Sequence, residues 1–399
     1  MSCESLTERF PPPRPLYLLM YCVAALGLYA WLNPGGTHVL WDAKVYARAI
    51  ADWRAHTDPY TDREGLIFVY PPVFLSVAGF LARLMPGNLG WYLFLCAHIF
   101  ATLALPCLLA QFYFRRTWLS VAFAYTIFAA EPGFAALVSL RAGNLANLFY
   151  FIVLVAALPG LRRNRWGWFY AAAFLIGMVK IAFLLALLLP VFAGRRQRLR
   201  SVICAVAAAT SYPLQRWIAP LSYRAFVAAA NLQVGAHADY GYGILGTAAT
   251  IERKLLHRPV GLFPFVVQAV FIAGIVIGLY LLQRHMQQSA TGGVWLALLL
   301  TAIILCNPRI ERYDSYVGLL AAFVLLAEAL RTKHFLWLLS AIFLPSMLSL
   351  YVRHRSHHVD AWGAYETLVL LAGFAAGFWW LWRTGRTALS APDFASAQS

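Results

Sequence analysis

Long charge-free apolar runs alternate along the chain with short polar connections that are mostly basic. A helix rises 1.5 Å per residue, so crossing a hydrocarbon core of about 30 Å takes roughly 20 apolar residues. Runs of about that length cover 15–32, 84–114, 142–161, 259–283, 286–308 and 335–352. Shorter ones cover 117–130, 201–215, 315–327 and 367–382. None alternates with the two-residue period that a barrel strand shows over about ten residues. The pattern therefore predicts an all-α fold, a polytopic transmembrane helical bundle.

The stretch 166–194 differs from the rest. Arg162, Arg163 and Arg165 precede it, Arg195, Arg196, Arg198 and Arg200 follow it, and Lys180 divides it. Each half reaches only about 21 Å at helical rise. With both basic clusters on one side, the stretch predicts a hairpin of two short helices with Lys180 near the tip.

Basic connections orient the remaining spans. The clusters at 115–116, 162–165, 195–200, 331–333 and 383–386 are assigned to the inside, which leaves 34–66, 131–143, 216–258, 307–314 and 353–360 outside. Parity is met if 67–85, interrupted by Pro71-Pro72, forms a juxtamembrane or re-entrant helix; the alternative is that a short run such as 117–130 does not cross. The expectation is a single integral membrane domain of about 12 spans. Residues 1–14 form a cytoplasmic tail, 15–330 the core, 331–386 the C-terminal spans and 387–399 a disordered tail. The first run reads as a retained anchor, because Asn33-Pro34-Gly35-Gly36 follows it instead of a small-residue cleavage site.

Composition agrees and adds a puzzle. Hydrophobic residues make up 61% of the 399 positions and charged residues only 12%, about half the charge of a soluble domain. This argues against a soluble enzyme or a nucleic-acid partner. Yet 32 Lys and Arg face 16 Asp and Glu, for a net charge of +16. By the topology above, twelve of the sixteen acids lie outside or near the outer boundary, while the bases divide evenly. The outer bases have no orienting task. They read either as holders of an anion or as partners of acids and lipid headgroups. The six cysteines avoid the outer loops and form no CxxC pair, and no Asp-x-Asp or zinc-spaced histidines occur, so neither disulfides nor a metal are expected.

The first outer loop carries the strongest chemical signal. The stretch 41–53 lacks Gly and Pro and predicts an interfacial helix. Asp42, Tyr46, Ala49 and Trp53 share one of its faces at i, i+4, i+7 and i+11. A turn at Asp58-Pro59-Tyr60 follows, and Tyr70-Pro71-Pro72 opens the next apolar segment.

An outer loop with Asp-x-x-x-Tyr, then Asp-Pro-Tyr, then Tyr-Pro-Pro resembles the GT-C-fold glycosyltransferases. It is most similar to their bacterial polyprenyl-phosphate-mannose-dependent α-mannosyltransferases. Three weaker matches extend the resemblance over roughly 15–330. Arg141-Ala142-Gly143-Asn144-Leu145-Ala146-Asn147 is similar to a Gly-Gln-x-Asn element, with Asn144 in place of Gln. Lys180-Ile181 is similar to a Lys-Pro between short helices, without the proline. Asn307-Pro308-Arg309-Ile310-Glu311-Arg312-Tyr313-Asp314 is similar to a late outer motif.

The resemblance implies transfer of a sugar, mannose or another hexose or pentose, on the extracytoplasmic face of a bacterial inner membrane. The donor would be a polyprenyl-phosphate sugar and the acceptor a lipid or glycan, with no cofactor. It makes Asp42 the general base; the alternative is an N-cap of its helix. Arg309 and Arg312 would stabilise the leaving phosphate, with Lys180, Lys44 and Arg141 behind them. The alternatives are ion pairing within 309–314 and, for Lys180, snorkelling to the interface. Asn144 and Asn147 would bind sugar hydroxyls, or Asn144 would start a helix. Tyr46, Asp58, Tyr60, Tyr70, Glu311 and Tyr313 complete the expected substrate site, with Asp58 equally readable as a turn former. The segment 237–243 reads as a flexible loop over the acceptor. Two other functions fit the same charges: a flippase or transporter of lipid-linked sugars, and a glycan polymerase or ligase.

Overall fold

The computed structural model describes residues 15–32, 39–61, 66–113, 118–235, 240–286, 293–330, 335–356 and 364–390. These fold into helices, with no strand among the described residues. The terminal segments 1–14 and 391–399 lie outside them. The last helix continues to Ser390, so 387–390, expected in a disordered tail, are helical.

Seventeen α-helices matter here. They are α1 Pro15–Leu32, α2 Trp41–Arg54, α3 Pro72–Leu84, α4 Leu89–Tyr113, α5 Trp118–Ala129, α6 Ala135–Ala142, α7 Leu145–Arg163, α8 Gly167–Val179, α9 Leu188–Val191, α10 Arg195–Ile218, α11 Pro220–Gly235, α12 Ile244–Thr250, α13 Phe263–Met286, α14 Gly293–Cys306, α15 Arg312–Leu330, α16 Phe335–Ser356 and α17 Ala364–Ser390. Among the described residues, four stretches are long and apolar enough to cross a membrane: Leu89–Ala110, Leu145–Arg163, Phe263–Met286 and Arg312–Leu330. Several further helices are apolar but shorter.

The centre of the bundle is α15, packed between α14 and α17 and crossed by α6. Every residue of α14 from Trp295 to Cys306 is buried. Fourteen residues reach only about 21 Å, and a helix this apolar survives because protein encloses it. Close approach of α17 to α15 depends on a residue without a side chain: a Cβ at Gly373 would lie 2.6 Å from Ala322 Cβ. Small residues at such crossings let backbones meet where lipid supplies no hydrophobic drive.

The outer surface is inverted relative to a soluble protein. On α10, Leu199, Val202, Ile203 and Val206 are exposed at i, i+3, i+4 and i+7, and on α13, Val270, Ile277 and Leu281 are exposed. A contiguous apolar surface of this kind marks contact with a non-aqueous phase, which supports a membrane-associated protein.

The predicted hairpin is present. Helix α8 stops at Val179, Lys180 is extended (φ −134°, ψ 95°), and a 3-10 segment Ile181–Leu187 leads into α9. The second half is thus mostly 3-10 and not α-helical. Leu184 folds back onto Gly177, where a Cβ would stand 2.5 Å from its Cδ2.

Candidate functional site

The α2 helix forms as the apolar spacing predicts. Ala43, Val45, Tyr46 and Ala49 are buried, and Trp53 packs on α3 at Gly79. Its N-cap is Leu40, which has a left-handed backbone (φ 58°) and makes no side-chain cap bond. Asp42 therefore lies inside the first turn and is not the N-cap, which corrects one of the two readings of it. A carboxylate there is favoured by the helix dipole.

The start of α2 is fixed against the break between α6 and α7. Leu40 N–H donates to Arg141 O at 2.7 Å. Gly143 is left-handed (φ 69°), and a Cβ on it would lie 2.8 Å from Ala43 Cβ. Only glycine serves both demands at once. The next residue, Asn144, does two jobs. Its Oδ1 accepts from Ala146 N–H at 2.8 Å, capping α7, and its Nδ2 donates to Asp42 Oδ2 at 2.7 Å.

Asp42 opens into a cleft of about 470 Å³ that is also lined by Tyr46, Tyr70, Asn144, Lys180, Arg309, Glu311, Tyr313 and Asp314. Burial raises its pKa from 3.8 to about 6. The Asn144 hydrogen bond and the nearby charges of Lys180 and Arg309 pull it down, while Asp314 pushes it up. A carboxylate near its own pKa at neutral pH is matched to accepting a proton.

The wall beside Asp42 is aromatic. Tyr46 OH lies 3.2 Å from Tyr70 OH, with the rings edge to face at 5.4 Å. Burial holds both phenols above their usual range, so they remain proton donors at neutral pH. The Tyr70-Pro71-Pro72 turn is pinned from two sides. Tyr60 OH donates to Tyr70 O at 3.1 Å, and Gln215 of α10 accepts from Val73 N–H at 3.0 Å.

The opposite wall carries charge. Lys180 Nζ bonds Asp314 Oδ1 at 3.0 Å, with the Asp314 side chain 3% exposed and the Lys180 side chain 22% exposed. Arg309 pairs with Glu311 at 3.3 Å. Both cations face the cleft, and each has a carboxylate beside it.

Several expected site residues do not line the cleft. Asp58 is exposed and accepts from Tyr60 N–H at 3.0 Å, so it forms the turn. Tyr60 supports Tyr70 from behind. Arg141 contributes its backbone carbonyl to Leu40, and its side chain does not line the cleft. Asn147 is fully buried, donates to Thr102 Oγ1 and accepts from Ser139 Oγ, tying α7 to α4 and α6. Arg312 faces away, pairing with Glu366 of α17 at 3.5 Å and lying over the Tyr242 ring.

The segment 237–243 falls partly on 236–239, outside the described residues. Its remainder is anchored, with Tyr242 N–H donating to Ile310 O and Thr367 Oγ1 donating to Tyr242 O, both at 2.8 Å. Asp314, Tyr212, Gln233 and Phe226 line the cleft without having been singled out from sequence. For Asp314 the signal was present in the charge-dense stretch 309–314. Among the described residues no cluster of His, Cys, Asp and Glu is grouped to hold a metal ion. Compared with family models, with curated proteins and with solved structures, the chain has no match.

Proposed function

We propose that the chain is an inverting glycosyltransferase of about 12 spans and GT-C-like architecture, with the cleft on the extracytoplasmic face of a bacterial inner membrane. It moves a sugar from a polyprenyl-phosphate donor to a lipid or glycan acceptor. The acceptor hydroxyl gives its proton to Asp42 as its oxygen bonds the anomeric carbon. The carbon–oxygen bond to the lipid phosphate breaks, and the phosphate leaves with the electron pair.

One observation carries this reading: a half-buried carboxylate with a pKa of about 6, aimed by Asn144 into a cleft whose other wall holds Lys180 and Arg309. Phenols and amides beside the base suit a polyhydroxylated substrate, and cations suit a departing phosphate. Arg312 and Asn147 have no part in it.

Incubation of purified protein with a panel of polyprenyl-phosphate sugars and labelled acceptors tests the proposal. Transfer from at least one lipid-linked donor, and from no nucleotide sugar, is expected. Movement of a fluorescent lipid-linked sugar across vesicles without transfer would replace the enzyme with a transporter.

A further inference from the structure

A second feature lies where α10 begins and α13 ends, away from the cleft. Arg198 of α10 and Arg284 of α13 lie over the same ring, Tyr280, with guanidinium carbons 5.5 and 5.0 Å from its centroid. Two cations on one ring repel each other. Cation–π attraction at exposed sites is weak. Neither has a carboxylate within ion-pair reach among the described residues. Arg198 is instead held in place by neutral acceptors, with Nε donating to Val191 O at 3.2 Å and a terminal nitrogen to Gln283 Oε1 at 3.4 Å. Gln283 is itself anchored by donating to Phe192 O. The basic clusters of this end orient the chain by charge count alone. That task requires no convergence of two side chains on one aromatic ring.

Immediately along the same two helices the surface changes from cationic to apolar. Leu199 and Ile203 of α10 are 63% and 58% exposed, and Ile277 and Leu281 of α13 are 58% and 50% exposed. On α13, Ile277, Leu281 and Arg284 follow i, i+4, i+7 and so share a face. A positive clamp thus stands at the head of exposed apolar surface on the two helices.

The geometry points to a binding site for an anionic phospholipid between α10 and α13, with the headgroup phosphate held by Arg198 and Arg284 and the acyl chains lying along Leu199, Ile203, Ile277 and Leu281. Charge complementarity selects the occupant. The guanidinium pair takes a phosphate by charge-assisted bonds, a zwitterionic lipid returns a compensating cation to the same spot, and the exposed apolar surface retains a lipid where it would not retain a free anion. This site is independent of the catalytic reading of the cleft.

The test uses the full chain in detergent micelles. Lipid retention by native mass spectrometry and thermal shift are measured with added phosphatidylglycerol, phosphatidylcholine or inorganic phosphate. Phosphatidylglycerol is expected to be retained and to raise Tm over phosphatidylcholine, and inorganic phosphate to do neither. Arg198→Gln with Arg284→Gln should weaken phosphatidylglycerol binding by about ten-fold or more. Arg253→Gln with Arg258→Gln, an equal charge loss elsewhere, should leave it unchanged. Arg284→Gln alone, at an exposed position, serves if the double variant does not fold, and should itself reduce retention several-fold. Equal retention of both lipids by the wild type would overturn the site. So would an equal shift with inorganic phosphate, undiminished selectivity in the Arg variants, or the same loss in the Arg253/Arg258 control.

Discussion

Asn144 Nδ2 donates to Asp42 Oδ2 at 2.7 Å while Asn144 Oδ1 caps α7 through Ala146 N–H at 2.8 Å. One side chain therefore couples the start of a core helix to the carboxylate proposed as base. The two roles are separable. Serine is a good N-cap but lacks the amide donor. Asn144→Ser should hold stability within about 0.5 kcal/mol, with Tm as the readout. Because the lost bond had lowered the Asp42 pKa, the acid limb of the rate profile should move above its wild-type position. Asn144→Ala should show both that shift and a loss of about 1 kcal/mol.

The raised pKa of Asp42 has consequences for rate and stability that run in opposite directions. As the proposed base it must be ionised, so transfer should rise through about pH 6 and fall roughly tenfold per unit below it. For stability, a folded-state pKa of about 6 against 3.8 means that the folded chain keeps a proton that the unfolded chain has released. The stabilisation is complete below 3.8 and lost as pH rises to about 6. Asp42→Asn carries no such loss, so its Tm relative to wild type should rise between pH 4 and pH 7. A Tm difference flat across that range would show that burial does not act on Asp42.

Gly143 sits where α2 meets the α6–α7 break, with φ 69° and a neighbouring Cβ position 2.8 Å from Ala43 Cβ. Gly87 has a similar left-handed backbone (φ 54°) but open space around it. Gly87→Ala should cost only backbone strain, about 1 kcal/mol. Gly143→Ala should cost that plus about 1–3 kcal/mol of overpacking, and should weaken activity by moving Asp42 from Asn144. Comparison of the two denaturation curves isolates the contact.

Lys180 and Asp314 meet across 134 residues at 3.0 Å. Removing one partner leaves the other charged in a partly dry site. Lys180→Met and Asp314→Leu should each destabilise by about 2–4 kcal/mol. The double variant should cost clearly less than their sum, since neither charge is then stranded. Strict additivity in Tm-derived free energies would remove the pair from the account of the fold.

What could be read along the chain was what depends on near neighbours. The α2 helix follows from its apolar face, the break at Lys180 from two short half-runs between basic clusters, and the α7 start from Asn144 before an apolar stretch. What could not be read depended on contacts distant in sequence. Arg309 and Arg312 look alike in the stretch 309–314, yet the latter turns to Glu366 on α17. The resemblance makes Asn147 a sugar ligand, but its partners Ser139 and Thr102 lie on α6 and α4. Asp314 became part of the cleft only because the Lys180 hairpin folds against the head of α15. Asp42 was correctly placed on the Tyr46 face, but its alternative reading as a cap failed, because Leu40 takes that position through its bond to Arg141.

The step proposed for Asp42 is uptake of the acceptor proton. The most direct measurement is single-turnover transfer from a polyprenyl-phosphate sugar by wild type and by Asp42→Asn, with donor binding measured in parallel. Donor affinity is expected to stay within a few-fold of wild type and transfer to slow by about 10²–10⁴-fold, with the limb near pH 6 abolished. Transfer at the wild-type rate by Asp42→Asn, with the pH profile intact, would contradict it.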